Sequence, residues 1–215
     1  MEKRSFSLHV SPGVGKVTGE YIVAPDCTAI MTLAHGAGAD MQHPFMVELA
    51  TALAGAGIGT LRFNFPFMEG RRGRPDKPAV AHETVAAAIT HAAATYPALP
   101  LYVAGKSFGG RMSSQYLAAC PRAEVKGVVF YGFPLHPPGK ESVERADHLR
   151  EVTVPKLFLQ GTRDELAEWD LVYAVCSSLR KTRLVKIEGA NHAFKAGKRD
   201  VIAMLVKATA EWIGK

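Results

Sequence analysis

The chain holds 215 residues, 47% of them apolar and 21% charged, and carries a formal net charge of +6. A length of this order suits one α/β domain over 1–215 that buries roughly 70% of its unfolded surface, and no repeat, low-complexity tract or Ser/Pro-rich linker divides it. No long apolar run follows Met1-Glu2-Lys3-Arg4-Ser5, so neither a signal peptide nor a membrane span is expected and the default location is cytoplasmic; Cys27, Cys120 and Cys176, odd in number and far apart, read as reduced packing residues.

Taken in chain order, 17–23 alternates as a half-exposed strand and 29–34 is a buried-looking run, followed by a helix over 44–56 with Pro44 tolerated in its first turn. A strand over 60–65, an alanine-rich helix over 79–95, and strands over 101–104 and 125–131 come next. Helices are expected over 142–150, 168–180 and 199–213, with strands over 156–160 and 183–187 between them. Strand and helix alternate almost throughout, and the strands are nearly continuous in apolar residues. That pattern predicts an α/β fold, a doubly wound and mostly parallel sheet covered on both faces. Ligands of such sheets bind at the carboxyl ends of the strands.

One of those ends carries Gly105-Lys106-Ser107-Phe108-Gly109-Gly110, a tight turn between the 101–104 strand and a helix-like stretch from Arg111. A serine hydroxyl attacks only when it projects into a site, has a base beside it and has donors waiting for the oxyanion. The G-x-S-x-G spacing serves all three needs. Gly105 and Gly109 lack the Cβ atoms that would clash where strand and helix meet, which lets Ser107 take an unusual backbone conformation. The N–H of Phe108, at the new helix's start, then points where negative charge develops.

A nucleophile on such a turn needs an acid and then a histidine further along. The 156–160 strand breaks at Gly161-Thr162-Arg163-Asp164, with Glu165 a rival for the acid, and the 183–187 strand breaks before Gly189-Ala190-Asn191-His192. His136 and His148 precede the acid and fall outside that order; His148 reads as a solvated helix position. Other chemistries fit poorly. A phosphate-binding loop ending in Gly105-Lys106-Ser107 would need glycine where Pro100 stands, and a dinucleotide loop from Gly36-x-Gly38 would need it at Met41. The eight histidines form no H-E-x-x-H pattern or Cys/His cluster, which argues against a metal site. The basic residues lack interleaved aromatics, which argues against a nucleic-acid partner.

The segments Leu33-Ala34-His35-Gly36-Ala37-Gly38, RFNFPFMEGRR from Arg62 to Arg72, GKSFGGRM from Gly105 to Met112 and GANHAF from Gly189 to Phe194 together carry a family likeness. From the 29–34 strand onward the chain resembles the α/β-hydrolase superfamily, including dienelactone-hydrolase-like enzymes. More closely it resembles a bacterial group of short hydrolases related to an animal testis-expressed protein and to a chromatin-complex subunit. Ser107 stands where dienelactone hydrolases proper carry cysteine. The resemblance implies a Ser107, His192 and Asp164 triad, with the Gly161-x-x-Asp placement favouring Asp164 over Glu165, and an oxyanion held by the N–H groups of Ala37 and Phe108. It implies no cofactor. His35 is expected to brace the oxyanion loop, and Arg111 to pair with Glu69.

The expected activity is hydrolysis of an ester or thioester of a small acyl substrate through an acyl-enzyme. The alternative is a catalytically idle fold that binds partners, as some animal relatives are thought to do. Only about twenty residues separate Gly132 from Pro155, too few for a large lid, so the pocket is expected to be open or shallowly covered. Phe65, Phe67, Met68 and Phe133 are candidates for its apolar wall. Arg71, Arg72, Arg74 and Lys77 crowd one loop on the same edge, either as a solvated surface or as attractors of an anionic substrate. Oligomeric state is left open.

Overall fold

The computed structural model describes residues 1–70 and 73–214. Its eight strands form one open sheet: β1 (Glu2–Ser11), β2 (Gly15–Val23), β3 (Ala29–Ala34), β4 (Ile58–Phe63), β5 (Leu101–Lys106), β6 (Val125–Tyr131), β7 (Lys156–Gly161) and β8 (Thr182–Ile187). Their spatial order is β1-β2-β4-β3-β5-β6-β7-β8. The β1–β2 and β2–β4 pairs are antiparallel and all the others parallel, as the near-continuous apolar runs predict. Every residue of β3, β4 and β7 is buried, because helices cover both faces.

The helices are α1 (Pro44–Gly55), α2 (Pro66–Glu69), α3 (Pro78–Thr95), α4 (Phe108–Ala119), α5 (Trp169–Ser178) and α6 (Val201–Ile213). The first three begin on proline, whose missing N–H is no loss in a first turn and whose fixed φ suits it. In α3 the buried set Ala81, Val85, Ala88, Ile89 and Ala92 recurs at helical spacing and faces one side of the sheet with α4 and α5. Helices α1 and α6 cover the other side. Among the described residues no helix is long and apolar enough to cross a membrane.

Three expectations shift. Strand β1 lies ahead of the first run the sequence signalled and pairs with β2 over nearly its whole length. The strand expected over 60–65 is Ile58–Phe63, paired in register with β3, since Pro66 opens α2 and draws Phe65 off the sheet as its N-cap residue. The helix expected over 142–150 is a 3₁₀ helix, Glu144–Arg150.

Strand order also sets where a ligand can enter. From β3 the chain crosses through α1 to β4 on one side; from β5 it crosses through α4 to β6 on the other. Strands β3 and β5 are neighbours, so the loops leaving their carboxyl ends diverge and open a crevice between them, the topological switch point of the sheet.

Candidate active site

Ser107 sits at that crevice, between the end of β5 and the start of α4, with φ 51° and ψ −116°. A left-handed φ is costly for a residue with a Cβ, and two glycines make it possible. A Cβ on Gly105 would overlap the backbone of Gly110, and one on Gly109 would lie 2.5 Å from the carbonyl oxygen of Ala34. The helix therefore packs directly on the two central strands. Ser107 N–H donates to Tyr131 O at 3.3 Å, and its own carbonyl accepts from Arg111 N–H at 3.1 Å.

The structure brings together the three side chains that the sequence separated. Ser107 Oγ lies 2.8 Å from His192 Nε2, and His192 Nδ1 lies 2.9 and 2.8 Å from the two carboxylate oxygens of Asp164. The carboxylate can only accept, so Nδ1 carries the proton and Nε2 is free to take one from the hydroxyl. Asp164 is only 4% exposed. Gln160 Nε2 donates to its Oδ2 at 2.6 Å and Leu166 N–H to its Oδ1 at 2.9 Å. Gln160 in turn accepts from Phe133 N–H at 2.9 Å. Glu165, the rival acid, instead accepts from the His192 backbone N–H at 3.3 Å. His136, outside this chain of bonds, pairs with Glu168.

The loop after β3 lies across the crevice. Neither Ala37 N–H nor Phe108 N–H has a partner among the described residues, and both residues line one cavity with Ser107. His35 fixes the loop as expected: its Nε2 accepts from Phe65 N–H at 3.0 Å while its Nδ1 donates to Gly36 O at 2.8 Å. That is the neutral imidazole, and burial pushes its pKa down to about 4. Further along, the Met41 peptide is held from both ends. Its N–H donates to Asn64 Oδ1 at 2.9 Å, and its carbonyl accepts from the fully buried Arg62, which also pairs with Glu20. Glu69 completes the set by accepting from Thr18 N–H at 2.6 Å and Asn64 at 3.1 Å. The expected Glu69–Arg111 pair is therefore absent, its carboxylate being committed here.

The expected apolar rim is corrected. Phe65 and Phe67 are buried and pack on Phe108 and His35, and Phe133 is buried against Phe130 and Phe158. They are core, because Phe65 caps α2 beneath the loop and Phe133 is tied to Gln160. Met68 is half-buried against the same core. Arg71 and Arg72 lie outside the described residues; Arg74 and Lys77 are exposed. His148 is not a solvated position: its Nε2 lies 2.7 Å from Ser114 Oγ, and burial, helped by the nearby Arg111 charge, lowers its pKa to about 4. Cys120 is exposed rather than packed, whereas Cys27 is half-buried and Cys176 buried; all three are free thiols.

A cavity of about 370 Å³ opens on the hydroxyl and the imidazole, walled by Ala39, Phe45, Met46, Leu166 and Ala193. Lys106 also lines it, with Nζ 5.4 Å from the centre of the buried Phe194 ring. Burial lowers that amine to about 8 against the pull of Asp164 and Glu165. A larger hollow of about 480 Å³ beside Lys156 and Lys181 includes none of the three site residues. Sequence reasoning missed Gln160 and Lys106. The available signal in each case was a polar residue at or next to the end of a mostly apolar strand.

A family model described as an alpha/beta hydrolase domain matches residues 27–212. Among solved structures, the chain is similar to a dienelactone hydrolase from Anabaena variabilis, with 24% identity, a TM-score of 0.76 and coverage of 100% of this chain and 98% of that one. It is also similar to a serine hydrolase without a lid from Xanthomonas campestris, with 24% identity, a TM-score of 0.76 and coverage of 99% and 95%. At that identity the likeness is one of fold. Two Mycobacterium tuberculosis proteins provisionally named phosphoribosyl transferases are 27% identical over 97% of this chain and 46% of their own length. The chain thus spans about half the length of those curated relatives.

Proposed function

The chain belongs to the alpha/beta hydrolase domain family, and from that premise we propose that it is a serine hydrolase that cleaves an ester or thioester of a small acyl group. The observation that carries this reading is the unbroken run of hydrogen bonds from Ser107 Oγ through His192 to Asp164. Ser107 Oγ attacks the acyl carbonyl while His192 Nε2 takes its proton. Asp164 holds the ring in the tautomer that can accept and stabilises the imidazolium that forms. The carbonyl oxygen becomes an oxyanion between the N–H groups of Ala37 and Phe108, each such donor typically contributing about 3 kcal/mol. Collapse expels the leaving group, to which His192 returns the proton. Water then repeats the sequence on the acyl-enzyme and frees the acid. None of these steps needs a cofactor.

Support for turnover over an idle partner-binding fold comes from backbone strain. A left-handed Ser107 would serve no purpose in a scaffold, where glycine at that position would be easier to accommodate. A fluorophosphonate probe tests the reading: it should label the wild type and leave Ser107→Ala unmodified. No labelling where a control serine hydrolase reacts fully would overturn the proposal and favour the idle fold.

A further inference from the structure

Ser107 borders two cavities. The one of about 370 Å³ contains His192; the second, of about 350 Å³, shares Ala37 and Leu166 with it but does not include His192. This second cavity receives two arginines, Arg111 from α4 and Arg145 from the 3₁₀ helix. Neither side chain makes an ion pair or a hydrogen bond among the described residues, and the Nε of Arg111 is buried without a partner among them. The Arg111 guanidinium sits 5.9 Å from the centre of the Phe108 ring. Burial and then the Arg145 charge both push Arg111 below its ordinary pKa. Near it stand Arg145 and the imidazole of His148, whose own pKa the Arg111 charge helps to lower.

The one carboxylate among the described residues that line the cavity, Asp76, accepts from Phe67 N–H at 2.9 Å through Oδ2. Two like charges beside a nucleophile, neither of them ion-paired among the described residues, call for an anion, and two guanidiniums with one carboxylate among the described lining residues leave a net charge that matches a single negative group.

Geometry also assigns the cavity a part of the substrate. His192 must hand its proton to the leaving group, so the leaving group departs through the cavity His192 lines. The acyl portion then occupies the other. We propose that the Arg111–Arg145 cavity binds a carboxylate at the far end of the acyl chain, making the preferred substrate a monoester or monothioester of a short dicarboxylic acid. The assignment to the acyl side rests on the acyl-transfer reading; the anion site itself does not.

The test compares 4-methylumbelliferyl hemiesters of succinic and glutaric acid with neutral esters of matched chain length. The wild type should favour a hemiester by about tenfold or more in kcat/KM, the scale of one charge-assisted hydrogen bond. Arg145→Gln should collapse that ratio to near one, and Arg145→Lys should restore part of it. Because Arg111 is more buried and Arg111→Gln can disturb folding, Arg145 carries the test. Binding of glutarate to Ser107→Ala by calorimetry gives a readout independent of turnover, and adding Arg145→Gln should weaken it by about tenfold. Normal probe labelling of Ser107 with no hemiester preference and no glutarate binding would overturn this inference while the hydrolase reading stood. Glutarate binding that depends on Arg145 in a protein the probe does not label would sink the hydrolase reading and leave the anion site.

Discussion

Gly109 packs its bare Cα against the carbonyl of Ala34, so closely that a Cβ would sit 2.5 Å from that oxygen. This contact joins the turn bearing Ser107 to the end of β3, from which the Ala37 loop departs. The hydroxyl and the candidate oxyanion donors are thereby held in one rigid unit. Gly109→Ala must push helix and strand apart, and overpacking against backbone costs roughly 1–3 kcal/mol or more. Urea midpoints should fall accordingly, and kcat should drop further than stability alone explains. An unchanged midpoint would show that the two elements are not locked.

Ser107 carries a second testable strain. Its φ of 51° is accessible to glycine without penalty, so Ser107→Gly should be more stable than wild type by about 1 kcal/mol while hydrolysing nothing. Ser107→Ala keeps the Cβ and the strain; it should be equally inactive with stability near that of the wild type. Thermal denaturation of the three proteins side by side decides the matter.

The acid can be identified by kinetics. Asp164→Asn leaves the shape intact but favours the wrong imidazole tautomer, and should lower kcat by about 10⁴-fold. Glu165→Gln touches a backbone bond to His192 and a charge that acts on Lys106, neither of them on the ring, and should change kcat by no more than a few-fold. Gln160→Leu removes a donor from Asp164 and an acceptor from Phe133. Positioning partners of this kind typically matter by about 10-fold or more, so it should fall between the two. A Glu165 variant as damaging as the Asp164 one would overturn the assignment.

Acid should destabilise the fold through His35. Its folded pKa of about 4 lies below the ordinary 6.5 because burial disfavours the cation. Between those two values the unfolded chain binds more protons than the native one, so stability is full above pH 6.5 and falls as pH drops toward 4. The span corresponds to roughly 3 kcal/mol. His148, lowered to about 4 mainly by burial, acts in the same direction. Urea titrations from pH 7 to 4.5 should show this slope, and His35→Gln, though less stable at pH 7, should flatten part of it. A wild-type slope unaltered in that variant would show that His35 is not responsible.

Much of the site was legible because its requirements are local. Gly105 answers a clash with Gly110, within six residues of chain, although Gly109 answers one with the distant Ala34; strand ends announce themselves where apolar alternation stops, which is how Asp164 and His192 could be named. The aromatics misled for the converse reason: Phe65 and Phe133 follow strands, but whether a ring after a strand faces a pocket or the core depends on what packs above it. A 3₁₀ helix at 144–150 and the chain turn at Pro66 were likewise decided by neighbours.

The sequence by itself determined the chemistry on offer: a serine on a glycine-flanked turn, an acid and a base in loops behind it, and a strand-helix alternation that demands a covered parallel sheet. Tertiary structure alone decided that β3 and β5 lie side by side, that Gln160 reaches Asp164, and that Arg145 comes to stand beside Arg111 with neither in an ion pair among the described residues. Turn geometry is set by sterics between residues adjacent in the chain. Strand order and the company of a buried charge are set by contacts between segments far apart, and no single segment records them.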